Sequence, residues 1–256
     1  MRTLKIFALM VAATGISLSS CQKSDSEIST TSASNSLGVQ LQAVNNTYSF
    51  GVGTRALTTG TLKWDTCQMY VSKVHLTAVK EQGDTLSTEF SVDLKYKGSK
   101  LVDLFSASSL LGDTQIQSGV YDKVKIRIQS DKRDSGNSPV FYISGKYTNT
   151  AGTVTPIAIA VNEPIDLSIT AKDSVVINSA DDYIALFQLD LSNYINNSKI
   201  TTADLDKAKT TNGTIIISET SNSELYSKFF KRVSLLNVIK HKEFKKENDK
   251  DDNNKD

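Results

Sequence analysis

The chain has 256 residues, 39% of them hydrophobic and 22% charged, with a formal net charge of +1. That balance supports a sizeable core in one or two domains and excludes a wholly disordered chain. Near-neutrality lacks the global signature of a nucleic-acid binder, so no nucleic-acid partner is expected.

Met1-Arg2-Thr3-Leu4-Lys5 is a short basic start, and Ile6 to Leu18 is apolar apart from Thr14, Gly15 and Ser17. The apolar run is shorter than the about 20 residues needed to span a bilayer. With small residues before a cut site, residues 1–20 read as a secretory signal peptide. Leu18-Ser19-Ser20-Cys21 resembles the bacterial lipobox, which implies lipidation (palmitate among the acyl groups) at Cys21 and an outer-membrane lipoprotein. An ordinary signal peptide with an accidental cysteine is the alternative. Losing Arg2 and Lys5 with the leader turns the net charge from +1 to −1. Lipidation also leaves Cys67 without a disulfide partner. Its apolar surroundings predict a buried thiol.

Residues 21–36 read as a flexible tether rich in Ser and Thr, with Ile28 as the one large apolar side chain. Lys23, Asp25 and Glu27 resemble the surface-export signal of Bacteroidetes lipoproteins, and a plain solvated linker accounts for them equally.

Residues 37–221 carry short strand patterns with turn punctuation. Val39, Leu41 and Ala43 alternate with Gly38, Gln40 and Gln42; Tyr48, Phe50 and Val52 follow. Gly60 to Trp64 opens a longer stretch. Met69 and Val71 share a face, and Val74, Leu76 and Ala78 resume in the opposite phase, predicting a bulge near Ser72-Lys73. Gly83-Asp84 marks a turn before Phe90, Val92 and Leu94. Leu101 to Leu111 is expected to hold a short helical turn ending at Gly112. Val124, Ile126 and Ile128 alternate with Lys123, Lys125 and Arg127, a half-buried antiparallel strand. Further strands are predicted at 140–147, 154–161, 165–170, 175–177 and 184–191. Thr202 to Lys209 reads as a short helix with Ala203, Leu205 and Ala208 facing inward. Asn212-Gly213 leads into a last buried strand, Thr214 to Ser218.

The predicted fold is all-β: an antiparallel β-sandwich with short helical insertions and a C-terminal amphipathic helix. Gly60-Thr-Leu-Lys-Trp64, Val71 to Ala78, Ser118-Gly-Val-Tyr-Asp-Lys-Val124, Ser144-Gly-Lys-Tyr-Thr148 with Thr155-Pro156, and Asn212-Gly-Thr-Ile-Ile-Ile-Ser218 carry a family resemblance. Together they resemble a group of secreted Bacteroidetes lipoproteins related to a widespread bacterial domain of unknown function. The resemblance implies a transthyretin-like or prealbumin-like sandwich and brings no catalytic residues. The Asp-Ala-Pro found early in many relatives is missing here.

Ser221-Asn-Ser-Glu224 has capping-box spacing. Leu225, Phe229, Val233, Leu236 and Ile239 then recur at helical spacing, so 222–242 reads as an amphipathic helix. Its basic residues leave two placements open, on an anionic bilayer or packed on the sandwich, with the second favoured. Residues 243–256 are expected to be a disordered charged tail.

No catalytic constellation stands out, so no enzyme activity, metal or cofactor is expected. His75 and His241 are far apart in sequence, and His75 should face a polar surface. Asp131 to Asn137 offers oxygen donors without EF-hand spacing, and a polar hairpin loop is the better account. Asp181-Asp182 are adjacent and read as a turn rather than a glycosidase pair. Thr85 and Ser174 sit in Asp-Ser/Thr-apolar triplets, a pattern that resembles Bacteroidetes O-glycosylation sites. Three functions follow in order of preference. The first is a non-enzymatic envelope module binding a glycan or protein ligand, held to the membrane through Cys21. The second is a component of a fimbria-like assembly. The third is a carbohydrate-active hydrolase. Lys123, Lys125 and Arg127 form one candidate contact patch, with an ordinary solvated sheet face favoured over it.

Overall fold

A computed structural model describes residues 34–51, 60–80, 88–107, 109–133, 138–171, 173–178, 182–233 and 242–246. Its strands begin with β1 (Ser34–Val44), β2 (Thr47–Ser49), β3 (Thr61–Lys80), β4 (Thr88–Asp103), β5 (Leu110–Gln117) and β6 (Gly119–Ser130). They continue with β7 (Phe141–Thr148), β8 (Val154–Val161), β9 (Ile165–Thr170), β10 (Val175–Ile177) and β11 (Tyr183–Asp190). Helices α1 (Leu191–Ser198) and α2 (Thr202–Asp206) follow, then β12 (Thr210–Thr211), β13 (Thr214–Ile217), α3 (Ser223–Val233) and β14 (Lys242–Lys246).

The strands form two sheets. One runs β14-β11-β1-β5; the other runs β10-β6-β3-β7-β8-β13-β12, with β2 and β4 on the far edge of β3 and β9 on β6. Inward side chains of both sheets join one buried apolar cluster, including Leu41, Phe187, Trp64, Ile128 and Phe141. The all-β sandwich-like fold expected from the strand patterns is therefore present. Pairing is not wholly antiparallel: β1 runs parallel to β11, and β8 parallel to β13. Each parallel pair joins strands distant in sequence, as long crossovers require, so hairpin-scale patterns could not reveal it.

β3 is the member on which the larger sheet is built. Its first half pairs with β7 and its second half with β6 along one edge. Two slips keep its apolar residues inward. The first, between Trp64 and Thr66, moves the buried positions from Leu62 and Trp64 to Cys67, Met69 and Val71. The second, between Val71 and Lys73, returns them to Val74, Leu76 and Ala78. The predicted bulge at Ser72-Lys73 is the second of these. An extra residue flips every later side chain, so two bulges restore the phase that one inverts.

Several local expectations are corrected. None of the described residues between Leu101 and Leu111 is helical: β4 continues to Asp103, a turn follows, and Gly112 lies inside β5 opposite Val39. Asp103 Oδ1 accepts the Phe105 N–H at 3.0 Å, which closes that turn. The last part of the predicted strand 184–191 gives way to α1, whose cap Asp190 accepts from the Asn193 N–H. α1 was missed because its Asn and Ser residues are poor helix formers; its Leu191, Tyr194 and Ile195 are nevertheless buried. In α2, Leu205 is buried and Ala208 half-buried, but Ala203 is exposed. Thr201 and Asp204 close a capping box that fixes its start, and the helix stops at Asp206, before Ala208.

The predicted cap at Ser221 is unused. α3 starts at Ser223, after Asn222 adopts φ +51°. The Asn222 amide instead donates to the Lys209 and Ile216 carbonyls and accepts from the Lys209 N–H. Leu225, Tyr226 and Phe229 of α3 are buried, and Tyr194 donates to the Phe229 carbonyl at 2.9 Å. The described part of this helix packs on the body; residues 234–241 lie outside the described residues. Lys242–Lys246 pair with β11 rather than ending a helix and starting a disordered tail. The body also begins earlier than 37, because Ser34 to Ser36 already pair with β5.

Candidate functional site

At the C-terminal end of β1 the chain stops following the ladder. Asn45 takes φ +56°, a left-handed conformation that Asn tolerates better than most residues. Its carbonyl and that of Thr47 accept from the Ser192 hydroxyl of α1, at 3.2 and 2.8 Å. Asn46 is clamped to β3: the Trp64 N–H donates to its carbonyl at 2.8 Å, and its amide donates to the Trp64 carbonyl at 3.5 Å. The next residue of β3, Asp65, is the one extruded by the first bulge, and it is exposed. The turn carrying Phe105 is fixed from below by a bond from the Ala43 N–H to the Leu104 carbonyl, 2.7 Å.

These pieces enclose an open pocket of about 430 Å³, lined by Ala43, Val44, Asn45, Asn46, Trp64, Asp65 and Phe105. The volume falls in the range of small-ligand sites. Three irregular features meet here: a left-handed Asn, a β-bulge and an Asx turn. Bulges recur beside functional sites because they re-aim a side chain. Neither the Asn45 amide nor the Asp65 carboxylate has a hydrogen-bond or ion-pair partner among the described residues. Trp64 is 1% exposed, yet its Nε1 donor has no partner there either. An unmade bond of this kind costs about 1–3 kcal/mol.

The outward-facing side of β4, β3, β6 and β9 is organised differently. Asp93, His75, Arg127 and Ser168 stand in register across the four strands. Asp93 accepts from His75 Nδ1 at 2.5 Å and from Lys73 at 2.9 Å. Bonding to Lys73, then to His75, holds the Asp93 carboxyl below its ordinary value. Arg127 forms a two-pronged pair with Asp166, which raises the guanidinium pKa further. The cationic patch expected at Lys123, Lys125 and Arg127 is thus partly neutralised: Arg127 has a carboxylate partner, while Lys123 and Lys125 are exposed.

A second open concavity, about 520 Å³, lies between α2 with the residues just after it and the segment Thr220 to Leu225 that leads into α3. Lys207, Lys209, Asp204 and Glu224 line it with both signs of charge. Lys228 bridges to Asp204 at 2.9 Å beside it. The outer edge of β4 is interrupted where residues 96–99 fall out of the β3 ladder and Ser99 takes φ +67°. A broken edge of this kind hinders strand addition by a neighbour.

The structure separates the other residues singled out in the sequence. Cys67 is buried, and burial, then the nearby Asp103 charge, pushes its thiol pKa up. Ser174 is exposed and donates to Asp122 at 2.5 Å. Asp182 accepts the Ser36 N–H at 2.9 Å. Cys21, Thr85, residues 134–137, Asp181 and His241 lie outside the described residues. Among those described, no three His, Cys, Asp or Glu side chains converge as a metal site requires. No family model matches the chain, nor does any curated protein or solved structure.

Asn45, Asp65 and Phe105 were not legible as a site. One signal was available: the three-residue step from Trp64 to Cys67 is the same phase break that disclosed the bulge at Ser72.

Proposed function

We propose that this protein is a lipid-anchored envelope module that binds its ligand at the pocket just past the C-terminal end of β1. The observation carrying this reading is the open pocket just past Val44, where the Asn45 amide and the Asp65 carboxylate have no partner among the described residues. Several acyl chains give a stable anchor, since each buried CH₂ contributes about 0.8 kcal/mol.

A binding role is supported over hydrolysis by the single carboxylate among the pocket's described residues, whereas most glycoside hydrolases use two. The outward-facing side offers Asp93 and Asp166, both already paired with cations. Placement in the outer membrane, likeness to the transthyretin-like lipoprotein group, and O-glycans on Thr85 and Ser174 belong to the same proposal. Intact mass of the native protein reads the last of these, and polypeptide plus lipid alone would remove it.

The test combines fractionation with site-placed crosslinking in the native envelope. Wild type should partition with membranes and carry acyl mass on Cys21, while Cys21→Ala should be released. A photo-crosslinker replacing Val44, which lines the pocket, should capture a defined ligand, and one replacing Lys125 should not. A membrane-free wild type overturns the anchor. Equal capture from both positions, or capture from neither, overturns the ligand-facing end.

A further inference from the structure

Resting on that reading, we infer that the pocket between Asn45, Asp65 and Phe105 is a site for a neutral saccharide. The lining decides the charge class first. Among the described residues it contains one carboxylate and no Lys, Arg or His. An anionic glycan or a phosphate would meet Asp65 without a compensating cation among the described lining residues, and like charges repel. Acidic ligands are therefore disfavoured.

The available hydrogen-bonding groups then separate a hydroxylated ligand from a cationic one. The Asn45 amide supplies two donor hydrogens and an acceptor oxygen, and Asp65 supplies two acceptor oxygens. All of these lack partners among the described residues. An ammonium group only donates; it would satisfy Asp65 and leave the Asn45 donors unmatched. A pair of neighbouring sugar hydroxyls both donates and accepts, so it can satisfy the carboxylate and the amide together. Bonds to an ionised group are the stronger kind, about 1.5–3 kcal/mol. Phe105 is half-buried, and it adds apolar area for the C–H face of a pyranose. A saccharide combines such an apolar face with polar edges, which is the mixture this lining presents.

The geometry also argues for preorganisation. Asn45 is held by Ser192, Asn46 by the Trp64 backbone, and the Phe105 turn by Asp103 and Ala43. Fixing polar groups before binding reduces the ordering cost that otherwise consumes affinity. The pocket is open and shallow enough to take the end or side of a longer glycan.

The test is calorimetric titration of the full-length lipid-bearing protein in detergent. The probes are three neutral trisaccharides (maltotriose, mannotriose and triacetylchitotriose), the acidic trigalacturonate, and spermidine. At least one neutral trisaccharide should bind. Asp65→Ala should weaken it about tenfold or more, the effect of one lost charge-assisted bond. Asn45→Gly keeps the left-handed backbone while removing the amide, and should also weaken binding. Lys125→Ala on the outward-facing side should bind as wild type does. Thermal melts matching wild type exclude misfolding as the cause. Binding of trigalacturonate or spermidine that depends on Asp65 overturns the neutral-saccharide assignment while leaving a ligand-facing end in place. Neutral binding indifferent to both pocket variants, or no binding by any neutral probe, overturns the assignment outright. Crosslinking from position 44 separately decides whether that end meets a ligand of any kind.

Discussion

The two ends of β3 use the same chain for opposite purposes. In its second half, whose ladders slip before Lys73 and again after Thr77, Lys73 and His75 face outward and bond to Asp93 of β4. Charges there are satisfied by neighbours in register, and little chemistry is left for a ligand. In its first half, one bulge turns Asp65 away from the ladder, beside a left-handed Asn45 and an orphaned Trp64 donor. Bulges occur in both halves, so what differs is side-chain pairing: Asp93 is bonded by its neighbours in register, whereas Asp65 and Asn45 are left unbonded among the described residues. The contrast teaches that the proposed ligand end is marked less by residue type than by which polar side chains the fold leaves unpaired.

The comparison breaks most severely at Gly145. This residue faces Trp64 across the β7–β3 ladder at the bulge. An added Cβ would overlap the Lys63 carbonyl oxygen and lie 2.8 Å from Trp64 Cα. Both obstacles are backbone, so Gly145→Ala should cost more than about 4 kcal/mol in chemical denaturation, the range of severe steric lesions. A loss under 1 kcal/mol would mean that the bulge is not held as described.

Next comes the support behind the pocket. Phe229 of α3 is fully buried against Tyr194 of α1, the helix whose Ser192 fixes Asn45. Phe229→Ala should cost about 3–5 kcal/mol as a large-to-small core change. An unchanged denaturation midpoint would place α3 off the body, for example on a membrane surface.

The satisfied face should report through acid. The Asp93 carboxyl lies below its ordinary value of 3.8, because its charged form is bonded in the folded state. Its contribution is full above the unfolded value and falls away as pH drops through the lowered folded value. Asp93→Asn should therefore narrow the difference in melting temperature between about pH 5 and about pH 2.5. The side chain is exposed, so the effect is small. An identical pH profile for the variant would remove the ladder's electrostatic role.

Smallest of all is the expected stability change at the pocket itself. Asp65 makes no bond within the described residues, so Asp65→Ala should stay within about 0.5 kcal/mol of wild type, as for ordinary surface positions. A loss above 1 kcal/mol would show that Asp65 holds the fold rather than serving a ligand.

Much of the fold was legible because strand alternation is a local signal. Val124 to Ile128, Val154 to Val161 and the Asn212-Gly213 turn read directly as what they became. The parallel pairing of β1 with β11 was not legible, since no local pattern encodes a partner so far along the chain. α1 escaped because Asn and Ser dominate its exposed side and tertiary burial overrides their propensity. The pocket escaped for a related reason. Asn45 and Asp65 look like ordinary turn and strand residues until the clamp between Asn46 and Trp64 brings them together.

One measurement bears on the central claim most directly: amide-resolved NMR shift mapping of the protein during titration with the neutral trisaccharides. The chain has a single tryptophan, so Trp64 gives one indole N–H signal. The account predicts shifts confined to Ala43 to Asn46, Trp64 to Asp65 and Phe105, with movement of that indole signal. Shifts centred on Lys73, Asp93 and Arg127, or no shifts at all, would contradict it.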